Sequence, residues 1–273
     1  MTQQIVERYG DQIFNHAATS EDERLGALTA ELDPATFRRL GSLPIQPDWR
    51  CLELGAGTGT VARWMSERCP DGGVVATDLD LELVRRNDGD AGVTWTHHDL
   101  TRDDFPPGSF DLIHARYLFC HLRGRDQDLA RVVRWLVPGG WLVLEEPARF
   151  PIEASSHDAY RTTGMGVFTA LAERIGTDCD WPRDLAGHMG RAGLIELDTD
   201  VAYSMVGGGR PMGRFWELTV EQLAPVLCAI DGITPGMVAD TLVRLRDPDF
   251  REPGMATVGV TGRRPVAGPP AAA

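Results

Sequence analysis

The sequence predicts an α/β fold: a mostly parallel, seven-stranded sheet covered by helices on both faces, with an added helical lid. Three observations carry that prediction. From residue 50 onward, short apolar runs alternate with amphipathic segments of helical period. The first apolar run leads into a glycine turn, ELGAGTG, at 53–59. Acidic residues then close three successive strands, at Glu53, Asp78 and Asp99. Runs of this kind, short and apolar throughout, suit strands buried on both faces.

Taken in order, strands are expected at 50–54, 73–77, 93–97, 110–114 and 141–144. Helices are expected at 59–68, 80–86 and 126–136, the last closed by the turn Pro138-Gly139-Gly140. The first 47 residues read as helices over 2–17, 20–31 and 34–40. Ser20 with Glu23 forms a capping-box pattern, and Asp33-Pro34 resembles an N-cap followed by a first helical position. Beyond Pro147 the rhythm changes. Helices at 156–175, interrupted by Gly164 and Gly166, and at 182–190 precede a strand at 194–203. Helices at 212–230 and 234–245 then lead to a last strand at 255–261. The expected organisation is a helical cap (1–47), a ligand-binding core (48–150), a segment completing the sheet with helical insertions (151–264) and a disordered tail (265–273). The insertions could form a separate domain or roof the carboxyl edge of the sheet. The roof is favoured, because 151–193 interrupts the sheet pattern rather than following it.

Composition narrows the functional classes. The chain has 273 residues, 42% of them hydrophobic, and a formal net charge of -13. That balance opposes a broad nucleic-acid or anionic-membrane surface. All 27 basic residues are arginine, which removes a lysine Schiff base and a phosphate-loop lysine. Five dispersed cysteines lack zinc-ligand spacing, and the expectation is a reduced, cytoplasmic protein without a metal. The first residues show no basic region followed by an apolar stretch, so no signal peptide is expected.

The glycines select the ligand. Gly55, Gly57 and Gly59 fall at alternate positions, unlike the G-x-G-x-x-G spacing of a dinucleotide site. Glu53 would repel a pyrophosphate but suits a ligand with a cationic amino group and no phosphate. ELGAGTG, VVATDLD, HHDL, FDLIHARYLFCHL and LVPGGWLVLEEP, in that order, resemble the motifs of class I S-adenosylmethionine-dependent methyltransferases with a Rossmann-like fold. The small-molecule subgroup, of ubiquinone/menaquinone or natural-product type, is the best match. The resemblance covers 49–147 closely. It implies S-adenosylmethionine as cofactor, S-adenosylhomocysteine as product, and a small organic acceptor, with aromatic specialised metabolites among the candidates.

Residue by residue, the resemblance implies that Gly55, Ala56 and Gly57 form the cofactor turn and that Glu53 serves the methionine amino end. Asp78 would hold the ribose and Leu79 would pack on the adenine. Asp99, beside Leu100, would accept from the adenine amino group, and Ala115 or Arg116 would line the methionine side. SEDERLGAL resembles a covering segment in which Arg24 pairs with the methionine carboxylate. Each assignment has a structural rival: a polar strand end for Asp78, a local cap for Asp99, a salt bridge for Arg116, and a pair with Glu21 or Glu31 for Arg24. Tyr9 and Phe14 either close over the pocket or dock the helix. If the acceptor needs a base, His121 is the first candidate, with His16 and His157 weaker; Glu146 could instead orient an acceptor group. Cys120 reads as a buried small side chain. His97 and His98 point to opposite strand faces and make poor metal ligands. HARY stands where many base and protein-amide methyltransferases carry Asn-Pro-Pro-Tyr, which favours a small acceptor. The competing functions are an NAD(P)-dependent oxidoreductase and a non-catalytic S-adenosylmethionine binder. Self-association is compatible with the extra helices, but no pattern sets its symmetry.

Overall fold

The computed structural model describes Phe14 and residues 19–85 and 92–266. Apart from Phe14, the helix expected at 2–17 lies outside the described residues, as does most of the tail. Seven strands form one sheet in the order β3-β2-β1-β4-β5-β7-β6. They are β1 (Cys51–Leu54), β2 (Val74–Asp78), β3 (Val93–His97), β4 (Phe110–Arg116), β5 (Leu136–Ala148), β6 (Ile195–Val206) and β7 (Glu252–Arg263), and the helices are α1 (Thr19–Gly41), α2 (Thr60–Ser66), α3 (Glu82–Arg85), α4 (Arg125–Trp135), α5 (Phe150–Glu153), α6 (Asp158–Ile175), α7 (Leu185–Arg191), α8 (Pro211–Leu227) and α9 (Pro235–Arg246). β7 runs antiparallel between β5 and β6, and the remaining pairings are parallel. The result is the Rossmann-like class I methyltransferase fold. Strand order reverses between β1 and β4, so the crevice at their carboxyl ends is where this topology places a ligand.

Local chemistry explains the central elements. All four residues of β1, CLEL, are buried, as a strand covered on both faces requires. Gly55, Gly57 and Gly59 take positive φ of 66°, 51° and 80°, turning the chain from β1 into α2 (Thr60–Ser66). A Cβ on Gly59 would lie 2.5 Å from the Trp95 ring on β3, so glycine is required twice over. Gly59→Ala is expected to cost about 1–3 kcal/mol of stability, read from the shift of a denaturation midpoint.

Three expectations are corrected. The amino-terminal helix does not break at Asp33: α1 runs through Thr19–Gly41 with Pro34 inside it. Pro34 lacks the N–H that would bond the preceding turn, an interior cost of about 3 kcal/mol. Tertiary contacts offset it. Asp33, expected to cap a new helix, instead accepts from Arg116 Nη2 at 2.9 Å and Thr60 Oγ1 at 3.2 Å. The Pro138-Gly139-Gly140 turn does not precede its strand but lies within β5, as a bulge between the pairs Phe110–Leu136 and Leu112–Trp141. Gly164 and Gly166 do not interrupt the helix expected at 156–175. They lie inside α6 (Asp158–Ile175), and Gly166 admits Ile233 where a Cβ would collide.

The later helices gather into one layer. α6, α8 (Pro211–Leu227) and α9 (Pro235–Arg246) pack against one another, and α1 packs along α8. Their shared core includes Tyr160, Phe168, Leu171, Trp216 and Leu223. Among the described residues, no helix is long and apolar enough to cross a membrane.

Candidate active site

A cavity of about 680 Å³ opens where the carboxyl ends of β1, β2 and β4 meet the helical layer. Ligand sites of about 300–1,000 Å³ are usual for small molecules. Its wall has two characters. The sheet side carries the glycine turn with Glu53, Asp78 and Asp99, and Asp128 joins them from the helix Arg125–Trp135. The helical side carries Leu28, Phe168, Leu171, Phe215 and Trp216, with Met255 of β7 beside them.

On the sheet side, backbone and carboxylates support each other. The Gly57 N–H donates to Asp78 Oδ2 at 2.9 Å, and Asp80 N–H donates to Asp78 Oδ1 at 3.2 Å. Ala56 N–H donates to the Thr77 carbonyl, tying the turn to β2. Leu79 beside it is 43% exposed on the cavity wall, a large apolar surface available to a ligand. Asp99 Oδ1 accepts from the backbone N–H and hydroxyl of Thr101 at 3.0 and 2.6 Å, so it caps its own turn while lining the cavity. Leu100 is buried and also on the wall.

The arginines are already engaged. Arg24, 2% exposed, makes a two-pronged contact with buried Glu21 at 2.8 and 2.6 Å and lies over the Phe14 ring at 3.9 Å. Arg116 donates to Asp33 and to Thr36 Oγ1 at 2.8 Å, both on α1. Both arginines line the cavity, and Arg123, a third, is exposed. Ala115 is fully buried and is not on the wall.

Among the expected acid–base groups, His121 lines the cavity and Glu146 does not. His121 Nδ1 lies 2.9 Å from Thr177 Oγ1. Burial, reinforced by Arg24 and Arg125, lowers its imidazole to about 4. Glu146 is fully buried, and its carboxylate accepts from the N–H groups of Leu118, Phe119 and Cys120 at 3.2, 2.8 and 3.0 Å. Burial pushes its carboxyl up to about 7 against the pull of those three donors. It therefore shapes the turn after β4 from behind the wall. His157 is away from the cavity, edge-on to Phe250 and 3.4 Å from Glu252. His16 and Tyr9 lie outside the described residues.

His98 and Tyr117 also line the wall, although the motifs that contain them assign them no role. His98 is buried, stacked on Phe105 with centroids 4.7 Å apart, and neither ring nitrogen has a hydrogen-bond partner among the described residues. The HHDL alternation is a usable signal here, since it leaves His97 exposed and His98 buried. Tyr117 has a positive φ of 55°, unusual for tyrosine, and its phenol meets Thr257 Oγ1 at 2.7 Å. Behind the wall, His114 is sandwiched between Glu53 and Glu145, an arrangement made by strand register and invisible in the linear sequence.

Residues 51–140 match the family model described as "Methyltransferase domain". Among curated proteins, the chain is 30% identical over 127 residues to methyltransferase str3 of Strobilurus tenacellus, spanning 46% of each chain. It is 34% identical over 111 residues to the demethylmenaquinone methyltransferase of Deinococcus radiodurans, spanning 39% of this chain and 45% of the relative. The matches thus span less than half the length of these relatives. Among solved structures, phosphoethanolamine N-methyltransferase 2 of Haemonchus contortus, in complex with S-adenosylhomocysteine, superposes with a TM-score of 0.58 at 18% identity. That match covers 95% of this chain and 61% of that one, and it shows a shared fold.

Proposed function

We propose that this protein transfers a methyl group from S-adenosylmethionine to a small organic acceptor with a flat apolar body, releasing S-adenosylhomocysteine. The observation that carries the reading is the two-sided cavity, which joins a carboxylate-rich glycine turn to an aromatic chamber. Glu53, Asp78 and Asp99 on the sheet side, with Asp128 beside them, oppose a pyrophosphate, and the guanidinium groups of Arg24 and Arg116 are bound to Glu21 and Asp33. A cationic ligand with ribose hydroxyls and no phosphate fits these acceptors, which disfavours NAD(P).

When bound, S-adenosylmethionine supplies a sulfonium methyl group for in-line displacement. In this reading, Asp78 accepts from the ribose hydroxyls, and Leu79, Asp99 and Leu100 hold the adenine end. The Gly55-Ala56-Gly57 turn admits close backbone approach. Glu53 addresses the amino group of the amino-acid end. Phe168, Phe215 and Trp216 orient the acceptor and exclude water, so positioning supplies much of the rate. His121, neutral at pH 7, takes the acceptor's proton.

Calorimetric titration with S-adenosylmethionine, S-adenosylhomocysteine and NAD tests the proposal. Binding of the two sulfur ligands without NAD is the expected result, followed by acceptor screening for turnover. Binding of NAD alone would end the methyltransferase reading, and cofactor binding with no transfer to any acceptor would favour a binder. The His121 role makes a separate forecast. A base must be unprotonated, so kcat/KM is flat between about pH 6 and 8 and falls only as pH drops toward 4. His121→Gln lowers kcat by about a hundredfold with little change in KM. An acidic limb near pH 6.5 that survives this substitution would assign the base elsewhere.

A further inference from the structure

We propose that His114 is a positioning residue that keeps Glu53 able to receive a cationic amino group at the cavity wall. The inference rests on the methyl-transfer reading, in which Glu53 faces the amino-acid end of the cofactor. His114 sits on β4 with no exposed surface. Its Nδ1 lies 2.7 Å from Glu53 Oε2 on β1, and its Nε2 lies 3.2 Å from Glu145 Oε2 on β5. Glu145 is bound in turn to Thr36 and Arg39 of α1, and Arg39 also reaches Asp200 on β6. Polar contacts thus run from the cavity wall across the sheet beneath α1. Arg116 and Asp33 act on Glu53 from the side, and Asp198 and Arg38 act on Arg39. Glu53 lines the cavity, whereas His114 and Glu145 do not.

Hydrogen counting shows what this unit can do. Ionised carboxylates only accept, so the two His114 contacts need two hydrogens between them. Either an imidazolium donates both, or a neutral imidazole donates one and a protonated carboxyl donates the other. Both arrangements carry one net negative charge, which Arg39 balances. They interconvert when a carboxyl O–H bond on Glu53 breaks and an N–H bond forms at His114 Nδ1, with no proton lost to solvent. Burial pushes the Glu53 carboxyl upward, while His114 and Arg116 pull it back. An arriving ammonium favours the anionic form, and the imidazolium it leaves behind stays paired with Glu145. Without His114, burial biases Glu53 toward its neutral form, and its attraction for the ammonium weakens.

The test compares two ligands on the full chain: S-adenosylhomocysteine, and methylthioadenosine, which keeps the adenosine and sulfur but has no amino-acid end. His114→Asn is expected to weaken S-adenosylhomocysteine by at least about tenfold while leaving methylthioadenosine within about twofold. Glu145→Gln, which leaves His114 in place, is expected to shift S-adenosylhomocysteine the same way by a smaller factor and to decide the matter if His114→Asn does not fold. Equal weakening of both ligands would make His114 a scaffold residue, and no change in either would make it irrelevant; each overturns the proposal. If the wild type binds neither ligand, the methyl-transfer reading fails first and the His114 role falls with it.

Discussion

Asp78→Ala is expected to weaken S-adenosylhomocysteine binding by at least about a hundredfold, the largest effect of any single substitution on the wall. An ionised carboxylate can accept from both ribose hydroxyls, and hydrogen bonds to a charged group contribute about 1.5–3 kcal/mol each. Losing two costs about 3 kcal/mol or more, which is a hundredfold or greater. Asp78 also accepts from Gly57 N–H, so its removal loosens the turn itself. Asp78→Asn separates the two roles. Its one remaining oxygen can hold the turn or one hydroxyl, but its NH₂ cannot accept from the other. The expected order of affinity is therefore wild type, then Asn, then Ala, with the Asn variant down by about tenfold. Calorimetry supplies the constants, and a melting curve in the absence of ligand reports the turn. An Asn variant as weak as Ala, with its melting point unchanged, would place the ribose elsewhere.

Legibility in the sequence tracks the range of the interactions. The β1-turn-α2 unit is written locally: four apolar residues, then glycines at positions where the backbone takes positive φ. The strand ends at Asp78 and Asp99 follow from the same alternation. The α1 boundary is not legible, because Asp33-Pro34 is a start signal on local grounds and only Thr60 and Arg116, 27 and 83 residues away, give Asp33 another use. The β5 bulge escaped for a related reason, since Pro138-Gly139-Gly140 reads as a turn until β4 and β7 supply partners on either side. The aromatic chamber leaves no local signature in the sequence. Phe168, Phe215 and Trp216 come together only when α6 packs on α8. His114 and Glu145 look like isolated polar residues in apolar runs; strand register makes them neighbours.

Glu146 carries the second large effect, and it falls on stability. Glu146→Ala is expected to destabilise the fold by about 3 kcal/mol. The carboxylate is the acceptor for three consecutive N–H groups, Leu118, Phe119 and Cys120, where the chain leaves β4. Buried donors left without an acceptor cost about 1–3 kcal/mol each, and relaxation of the turn to other partners recovers part of that sum. The deleted side chain also leaves a void between β5 and the turn. The consequence reaches the cavity, because Leu118 and His121 on its wall are positioned by this segment. Chemical denaturation of the variant should show a lower midpoint with an unchanged slope, the signature of lost stability without a changed unfolded state. Ligand binding should weaken far less than in Asp78→Ala, since Glu146 does not line the cavity. Near-wild-type stability with abolished methyl transfer would reverse this assignment and place Glu146 among the catalytic residues.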